Sequence, residues 1–365
     1  MRFETPTEQF LEAVSVAARF AERRPNLAVL GSILLVAENG TVLLRATNLE
    51  CGVEMSLPAK VGTAGVVAVP APILLGFLSN TKSKTISVEL KGEVLRVEAE
   101  GSSASIKTIP HEDFPLLPRV SASTSFSIKA QDLVRAIRSV AYCASLSAIK
   151  PELQSVLLFG EAGKLTAVAT DSFRLAERSV ALKSQGSVAP LLLPARNAGE
   201  LLRILEGVSG EVEVYYNENQ LSTQAEHIYY TSRLLDGSFP NYKQIIPNSF
   251  STEAVVLRED LSGALKSLSI FADKFAQVSL SIEPAKKALQ LSSRNPDVGE
   301  QTSALKATVE GDSVVVSFNG RYLADSLQSI AGDSVRLHSN GPGKPMLIKD
   351  AADASFLYLA MPMNR

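Results

Sequence analysis

Apolar positions in this chain recur with two spacings, and the spacings alternate in a fixed order. Near the N-terminus, F-E-T-P-T-E-Q-F-L-E-A-V places Phe3 in a short alternating run, then Phe10, Leu11, Ala13 and Val14 at helical spacing. F-S-I-K-A-Q-D-L-V-R-A-I begins at Phe126 and continues with Leu133, Val134, Ala136 and Ile137. A-V-V-L-R-E-D-L-S-G-A-L begins at Ala254 and continues with Leu261, Ala264 and Leu265. Each predicts a short strand followed by an amphipathic helix, because a period of two suits a pleated strand and i, i+3, i+4 one helix face. The starts lie 123 and 128 residues apart. Glu8, Asp132 and Asp260 fall near the helix starts, where the positive dipole end favours carboxylates.

A second set of helices recurs at the same interval. Val69-Pro70 opens P-A-P-I-L-L-G-F-L, Leu193-Pro194 opens P-A-R-N-A-G-E-L-L-R-I-L, and Phe318-Asn319 opens N-G-R-Y-L-A-D-S-L. Proline is tolerated early in a helix because the N–H it lacks has no partner there. Asp113-Phe114-Pro115 and Ser238-Phe239-Pro240 match at an offset of 125 residues. Between the helices lie hairpin signals. Asn39-Gly40, flanked by S-I-L-L-V-A-E and T-V-L-L-R-A, has the strongest form. Lys91-Gly92, Ala162-Gly163, Asn217-Glu218-Asn219 and Glu310-Gly311 sit between similar runs and predict four more hairpins. The fold class that follows is α+β, with three tandem copies of a two-helix, antiparallel-sheet domain. Boundaries are expected in the Ser/Thr-rich stretches after Pro118 and Pro247, giving domains 1–122, 123–248 and 249–365.

A length of 365 residues agrees with two or three domains. Hydrophobic residues are 45% and charged ones 20%, which excludes a wholly disordered or collagen-like chain. With 36 Lys+Arg against 38 Asp+Glu, any nucleic-acid role has to rest on how charge is distributed. There is no Trp, so the cores must be mainly aliphatic. Cys51 and Cys143 fit no metal or redox spacing and read as buried or free thiols of a reducing compartment. MRFETPTEQF is not an apolar signal, and the longest apolar stretch is broken by Pro70 and Pro72. A soluble cytoplasmic protein is expected.

Catalytic patterns are missing. His111, His227 and His338 stand singly, one per repeat. His111-Glu112 begins like a zinc-protease helix, but Pro115 stands where the second histidine belongs. Gly341-Pro342-Gly343-Lys344 lacks the first glycine of a phosphate loop (His338) and its Ser/Thr (Pro345). No G-x-G-x-x-G or G-x-S-x-G occurs. No catalytic residue, cofactor or metal is predicted. The alternatives are an enzyme with a site at a domain junction near Asp171 and Arg174, or a three-domain peptide-binding scaffold.

Four segments add a resemblance. They are Thr170-Asp171-Ser172-Phe173-Arg174-Leu175, Phe239-Pro240-Asn241-Tyr242 with Ile245 and Pro247, Asn319-Gly320-Arg321-Tyr322-Leu323, and Met361-Pro362-Met363; Arg24-Pro25-x-Leu27 joins them. In their order and spacing they resemble the bacterial DNA polymerase III beta subunit family, the sliding clamps, along the whole chain. The resemblance implies a DNA clamp fold, closed as a head-to-tail homodimer ring of six similar domains. It implies helices around a hole that encircles duplex DNA, without sequence readout, and strands outside. The implied partners are the replicative polymerase alpha subunit, the clamp loader, repair polymerases and ligase-type clients, all through short peptides. No cofactor or membrane is implied, and the place of action is the cytoplasm, at the nucleoid.

The resemblance also assigns residues. Leu153, Thr170, Ser172, Arg174, Leu175, Pro240, Ile245, Pro345, Met361, Pro362 and Met363 would line the peptide pocket, with Arg174 and Thr170 as polar anchors. Arg24 would contact DNA. Arg135, Arg138, Arg196, Arg203 and Lys266 are further candidates, since they fall in segments read as helical, as do Arg19, Arg23, Lys274 and Arg321. Segments read as strands carry Glu89, Glu93, Glu98, Glu100, Glu211, Glu213 and Glu310, so acid is expected outside and base inside. Ile270 and Phe271 match an apolar dimer contact. The chain departs from the family at Ser172-Phe173, where Gly-His or Gly-Tyr is common, and at Asn364, where Arg is. It departs again at Gln244, often basic, and at Pro151-Glu152, where aromatic residues are expected.

Overall fold

Strand-then-helix patterning is realised at all three places where the sequence carries it. The computed structural model describes residues 1–365 except 23, 25, 121–123, 184, 185, 364 and 365. The described residues form α1 (Thr7–Ala17), α2 (Ala71–Ser79), α3 (Ala130–Ala141), α4 (Ala195–Leu205), α5 (Arg258–Leu268) and α6 (Gly320–Ser326), with twenty-six strands. Strands Arg2–Pro6, Ser125–Lys129 and Thr252–Leu257 run directly into α1, α3 and α5. Pro70 and Pro194 end the strands before α2 and α4, while the Asn319 side chain caps α6 by accepting the Arg321 N–H at 2.9 Å. The stripes are buried as read: Phe10, Ala13, Val14 and Ala17 on α1, and Leu261, Ala264, Leu265 and Leu268 on α5. Each large side chain so buried contributes ~1.5–3 kcal/mol.

The chain sorts into two compact units, residues 1–131 with 200–234, and 132–199 with 235–365. All strand pairing among the described residues is antiparallel. The first unit holds a five-stranded sheet ordered Lys60–Thr63, Arg2–Pro6, Thr85–Lys91, Val94–Ala99, Ser102–Lys107. Its eight-stranded sheet runs Ser125–Lys129, Glu211–Tyr216, Gln220–Ala225, Ile228–Arg233, Cys51–Pro58, Thr41–Thr47, Ser32–Glu38, Gly65–Pro70. The second unit holds a nine-stranded sheet: Val188–Pro194, Ser155–Glu161, Lys164–Thr170, Arg174–Ala181, Phe356–Ala360, Met346–Asp350, Ser334–Ser339, Thr252–Leu257, Ala307–Gly311. Its four-stranded sheet is Gly299–Leu305, Ala288–Asn295, Gln277–Glu283, Val314–Asn319.

Two units arise from three repeats because each large sheet is two sheets fused at their edges. In the first unit Tyr230 lies opposite Val53; in the second Tyr358 lies opposite Ala176. The middle repeat therefore gives one sheet to each unit. The sequence boundary at 122/123 lies outside the described residues.

Four of the five hairpins form as read. Glu310-Gly311 does not close a hairpin. Strand Ala307–Gly311 pairs with Thr252–Leu257, whereas Val314–Asn319 pairs with Gln277–Glu283, so this turn carries the chain from one sheet to another. Three basic positions read as helical also lie elsewhere: Arg19 and Arg24 follow the end of α1, and Lys274 follows α5. Arg23 lies outside the described residues. Glu93 and Glu100 sit in turns between strands.

At Gly311 φ is +93°, and a Cβ would overlap the Ser251 backbone. Gly311→Ala is therefore expected to lower stability by about 2–4 kcal/mol, read as a fall in the urea-denaturation midpoint.

Candidate functional site

Strand register in the nine-stranded sheet brings distant segments to one end. Thr170 pairs with Leu175 across a tight turn, Arg174 with Ala360, and Ala360 with Met346. Met361, adjoining Ala360, donates its N–H to the Phe173 carbonyl at 2.8 Å, and Pro345 adjoins Met346. Met363 donates its N–H to Ser317 at 2.8 Å. Leu153 is buried just before Ser155–Glu161, the strand beside Lys164–Thr170. Below the turn, Leu175 and Leu359 pack in one cluster with Leu157, Val168, Leu192, Leu347 and Tyr242. Tyr242 opens the short 3-10 turn that ends at Ile245, and its N–H bonds the Pro240 carbonyl at 2.7 Å. Ile245 and Met361 remain exposed. All the sequence-predicted pocket residues thus belong to the second unit, around one sheet end and the turn at Tyr242.

Arg174 is committed to its own fold. Its Nε donates to Asp171 at 2.9 Å, Nη1 to Asp325 at 2.6 Å and Nη2 to the Tyr142 carbonyl at 2.8 Å, with the guanidinium 4.4 Å from the Tyr322 ring centre. Burial is the largest influence and opposes its charge, but the Asp325 bond together with further electrostatic contributions, Asp171 among them, outweighs it and raises the pKa. Asp171 is equally engaged, since Oδ1 accepts the N–H groups of Phe173 and Arg174 at 2.9 Å. Thr170 Oγ1 donates to the Arg174 carbonyl at 2.6 Å. These groups shape a wall rather than present a free acid or nucleophile. Tyr142, Asp325 and Tyr322 were not legible as partners, because they lie 32 residues before and some 150 after Arg174, and only the fold gathers them.

Four residues along the same strand, Arg178 is almost fully buried. It donates to Asp353 at 2.7 Å, Ser355 at 2.9 Å, Ser139 at 3.3 Å and the Ser329 carbonyl at 2.5 Å. The two arginines bind the middle repeat to the third within the second unit.

The basic candidates are all exposed: Arg24 in a bend, Arg135 and Arg138 on α3, Arg196 and Arg203 on α4, Lys266 on α5. Arg135 is paired with Asp132 at 2.9 Å and Arg203 with Glu200 at 2.6 Å. Ile270 is 68% exposed; Phe271, half-buried, lies beside the first residue of strand Gly299–Leu305. That strand and Ser102–Lys107 are outermost in their sheets and exposed along most of their length.

Comparison with known proteins settles the family. Profiles of the DNA polymerase III beta subunit match in series: the N-terminal domain over residues 1–118, the central domain over 127–241 and the C-terminal domain over 243–364. The chain belongs to the DNA polymerase III beta subunit family. It is 28% identical to the beta sliding clamp of Synechococcus elongatus, with 96% of each chain covered. It is 27% identical to that of Escherichia coli K12 over the whole of both. The crystal structure of the DNA polymerase III subunit beta from Pseudomonas aeruginosa, 27% identical, superposes with a TM-score of 0.93 over 100% of both chains. The fold is the three-domain sliding-clamp fold.

Within that fold Ser172 is one of seven described non-glycine residues with positive φ. Its φ is +77°, a region that costs a residue with a Cβ roughly 1–2 kcal/mol. Ser172→Gly is expected to raise stability by roughly 0.5–1 kcal/mol after the extra chain entropy of glycine, seen as a higher urea midpoint.

Proposed function

We propose that the chain works as a non-catalytic DNA sliding clamp, in which two copies join head to tail into a closed ring around duplex DNA. The observation that carries this is the way the repeats already join. Following the registers outward from Phe3, Phe126 and Ala254, the matching positions at the far edge are Ala104, Tyr230 and Tyr358. In the companion sheets, Leu34, Leu157 and Ser279 lead across to Glu54, Glu177 and Thr302. Two of these edge pairs are used inside the chain: Ile228–Arg233 on Cys51–Pro58, and Phe356–Ala360 on Arg174–Ala181. The third pair, Ser102–Lys107 and Gly299–Leu305, is left over. Unpaired edges invite a strand partner, and a two-fold operation that pairs them twice closes the assembly. The internal register then sets Ser103 opposite Thr302 of the second copy, flanked by Ile270 and Phe271. Domains 1–122, 123–248 and 249–365 would each appear twice.

Arg24, Arg135, Arg138, Arg196, Arg203 and Lys266 supply the positive lining toward DNA. Phosphate contacts read no sequence and weaken with salt, which suits a ring that must slide; the near-neutral net charge of -2 leaves the outside acidic. Met361, Pro362, Met363 and Ile245, over the floor of Leu175 and Leu153, would take short peptides of the polymerase alpha subunit, the clamp loader and repair clients. Two or three apolar anchors at ~1.5–3 kcal/mol each, less association costs, give roughly micromolar affinity, as exchangeable partners need. Methionines suit a surface that repacks for several ligands. The cytoplasm, at the nucleoid, is where such a protein acts.

The ring itself is tested by loading the protein on nicked circular DNA and then linearising it. Loss of the protein over the ends in high salt is the expected result; undiminished retention would overturn the reading. The register makes a separate prediction. A chain carrying Ser103→Cys and Thr302→Cys should oxidise to a covalent dimer, because directly opposed Cβ atoms lie about 5 Å apart, whereas Ser103→Cys with Leu305→Cys should not. The native Cys51 and Cys143 are buried and do not compete.

A further inference from the structure

The two joints of the chain are built on the same plan but filled differently. Met55 and Arg178 hold matching places, opposite Ile228 and Phe356 respectively. By the same repeat, Val16 on α1 matches Ser139 on α3, and Ile204 on α4 matches Ser329 after α6. In the second unit Arg178 fills the place, bonded to Ser139, the Ser329 carbonyl, Asp353 and Ser355. In the first unit Met55, Val16 and Ile204 are all apolar, Met55 reaches less far than an arginine, and a half-open groove of about 610 Å³ remains between α1 and the end of α4. That volume is ordinary for a drug-sized ligand or two side chains.

The lining has a clear polarity. Its floor is Ala13, Val16, Met55, Ile204, Val208 and Ile228. Its rim carries Glu12, Arg203, Glu226 and His227. The Arg203 charge is already taken by Glu200 at 2.6 Å. Glu12 is exposed and makes no ion pair with a described residue, while Glu226 has only the His227 ring, 3.8 Å away. Glu226 is held at the rim by a turn in which its φ is +48°. An apolar floor under an acidic rim complements an apolar side chain next to a basic one, and Met55 can repack around different shapes.

We infer that this groove is a second recognition site, for a short partner segment in which an apolar side chain is followed by lysine or arginine. It is distinct from the surface around Thr170 and Met361, with which it shares no residue. The groove exists within one chain, so ring closure has no bearing on the test.

The probes are N-acetyl-Leu-Arg-amide and N-acetyl-Leu-Glu-amide, titrated by NMR against the full chain with labelled Met, Ile and Val methyls. The expected result is that Leu-Arg shifts the methyls of Met55, Val16 and Ile204 and binds at least about fivefold more tightly than Leu-Glu. Glu12→Gln with Glu226→Gln, both at exposed positions and so compatible with folding, should remove that preference. Equal binding of the two probes would overturn the proposal. So would a preference that survives the double substitution, shifts confined to Met361 and Met363, or no shift at millimolar probe.

Discussion

Along the edge of a β-sheet, every second N–H and C=O points outward with no partner in its own sheet, and the free energy of leaving such groups buried and unpaired is prohibitive. The joints of this chain are consequences of that constraint. At Val53–Tyr230 and at Ala176–Tyr358 two repeats meet by continuing one sheet into the next, which converts two edges into one interior ladder. The buried strands there, Cys51–Pro58 and Arg174–Ala181, contrast with their exposed counterpart Gly299–Leu305, as Ile228–Arg233 and Phe356–Ala360 do with Ser102–Lys107. Three copies in a row necessarily leave one edge of each kind over. The proposed assembly of two copies would continue the same rule.

Side chains then differentiate the joints. In the second unit two buried arginines on one strand tie the repeats together through Asp325, Asp353 and the carbonyls of Tyr142 and Ser329. In the first unit the buried acid Glu54 is gripped by Arg45 at 2.7 Å and by Arg119, whose guanidinium stacks on Tyr229 at 3.8 Å. Polar ties of this kind add little net stability where water reaches them, but they fix register and orientation. Arg174, which lies in the proposed peptide site, also holds the joint, so in that reading recognition and architecture share one side chain.

Much of this was legible in the sequence. Period-two runs leading into period-3.6 runs fixed the three strand–helix units, and Asn39-Gly40 named its hairpin, because both signals are local. Glu310-Gly311 misled because a turn signal says that the chain reverses, not which strand it then pairs with. Which strands form the free edges went unread: S-S-A-S-I-K and G-E-Q-T-S-A-L are rich in small polar residues and carry little alternation. Arg24 and Lys274 were placed one segment too early, since apolar periodicity marks where a helix packs and not where it stops. The turn at Thr170–Leu175 and Met361 beside it were found through family resemblance; the turn's partners Tyr142 and Asp325 are tertiary facts with no local trace.

Amide hydrogen exchange read strand by strand addresses the central claim directly. If the leftover edges pair between copies, amides of Ser102–Lys107 and Gly299–Leu305 will exchange about as slowly as those of the internal joints at concentrations where the protein is dimeric, and quicken on dilution to monomer. Rapid exchange in both strands while the protein remains dimeric would contradict the account.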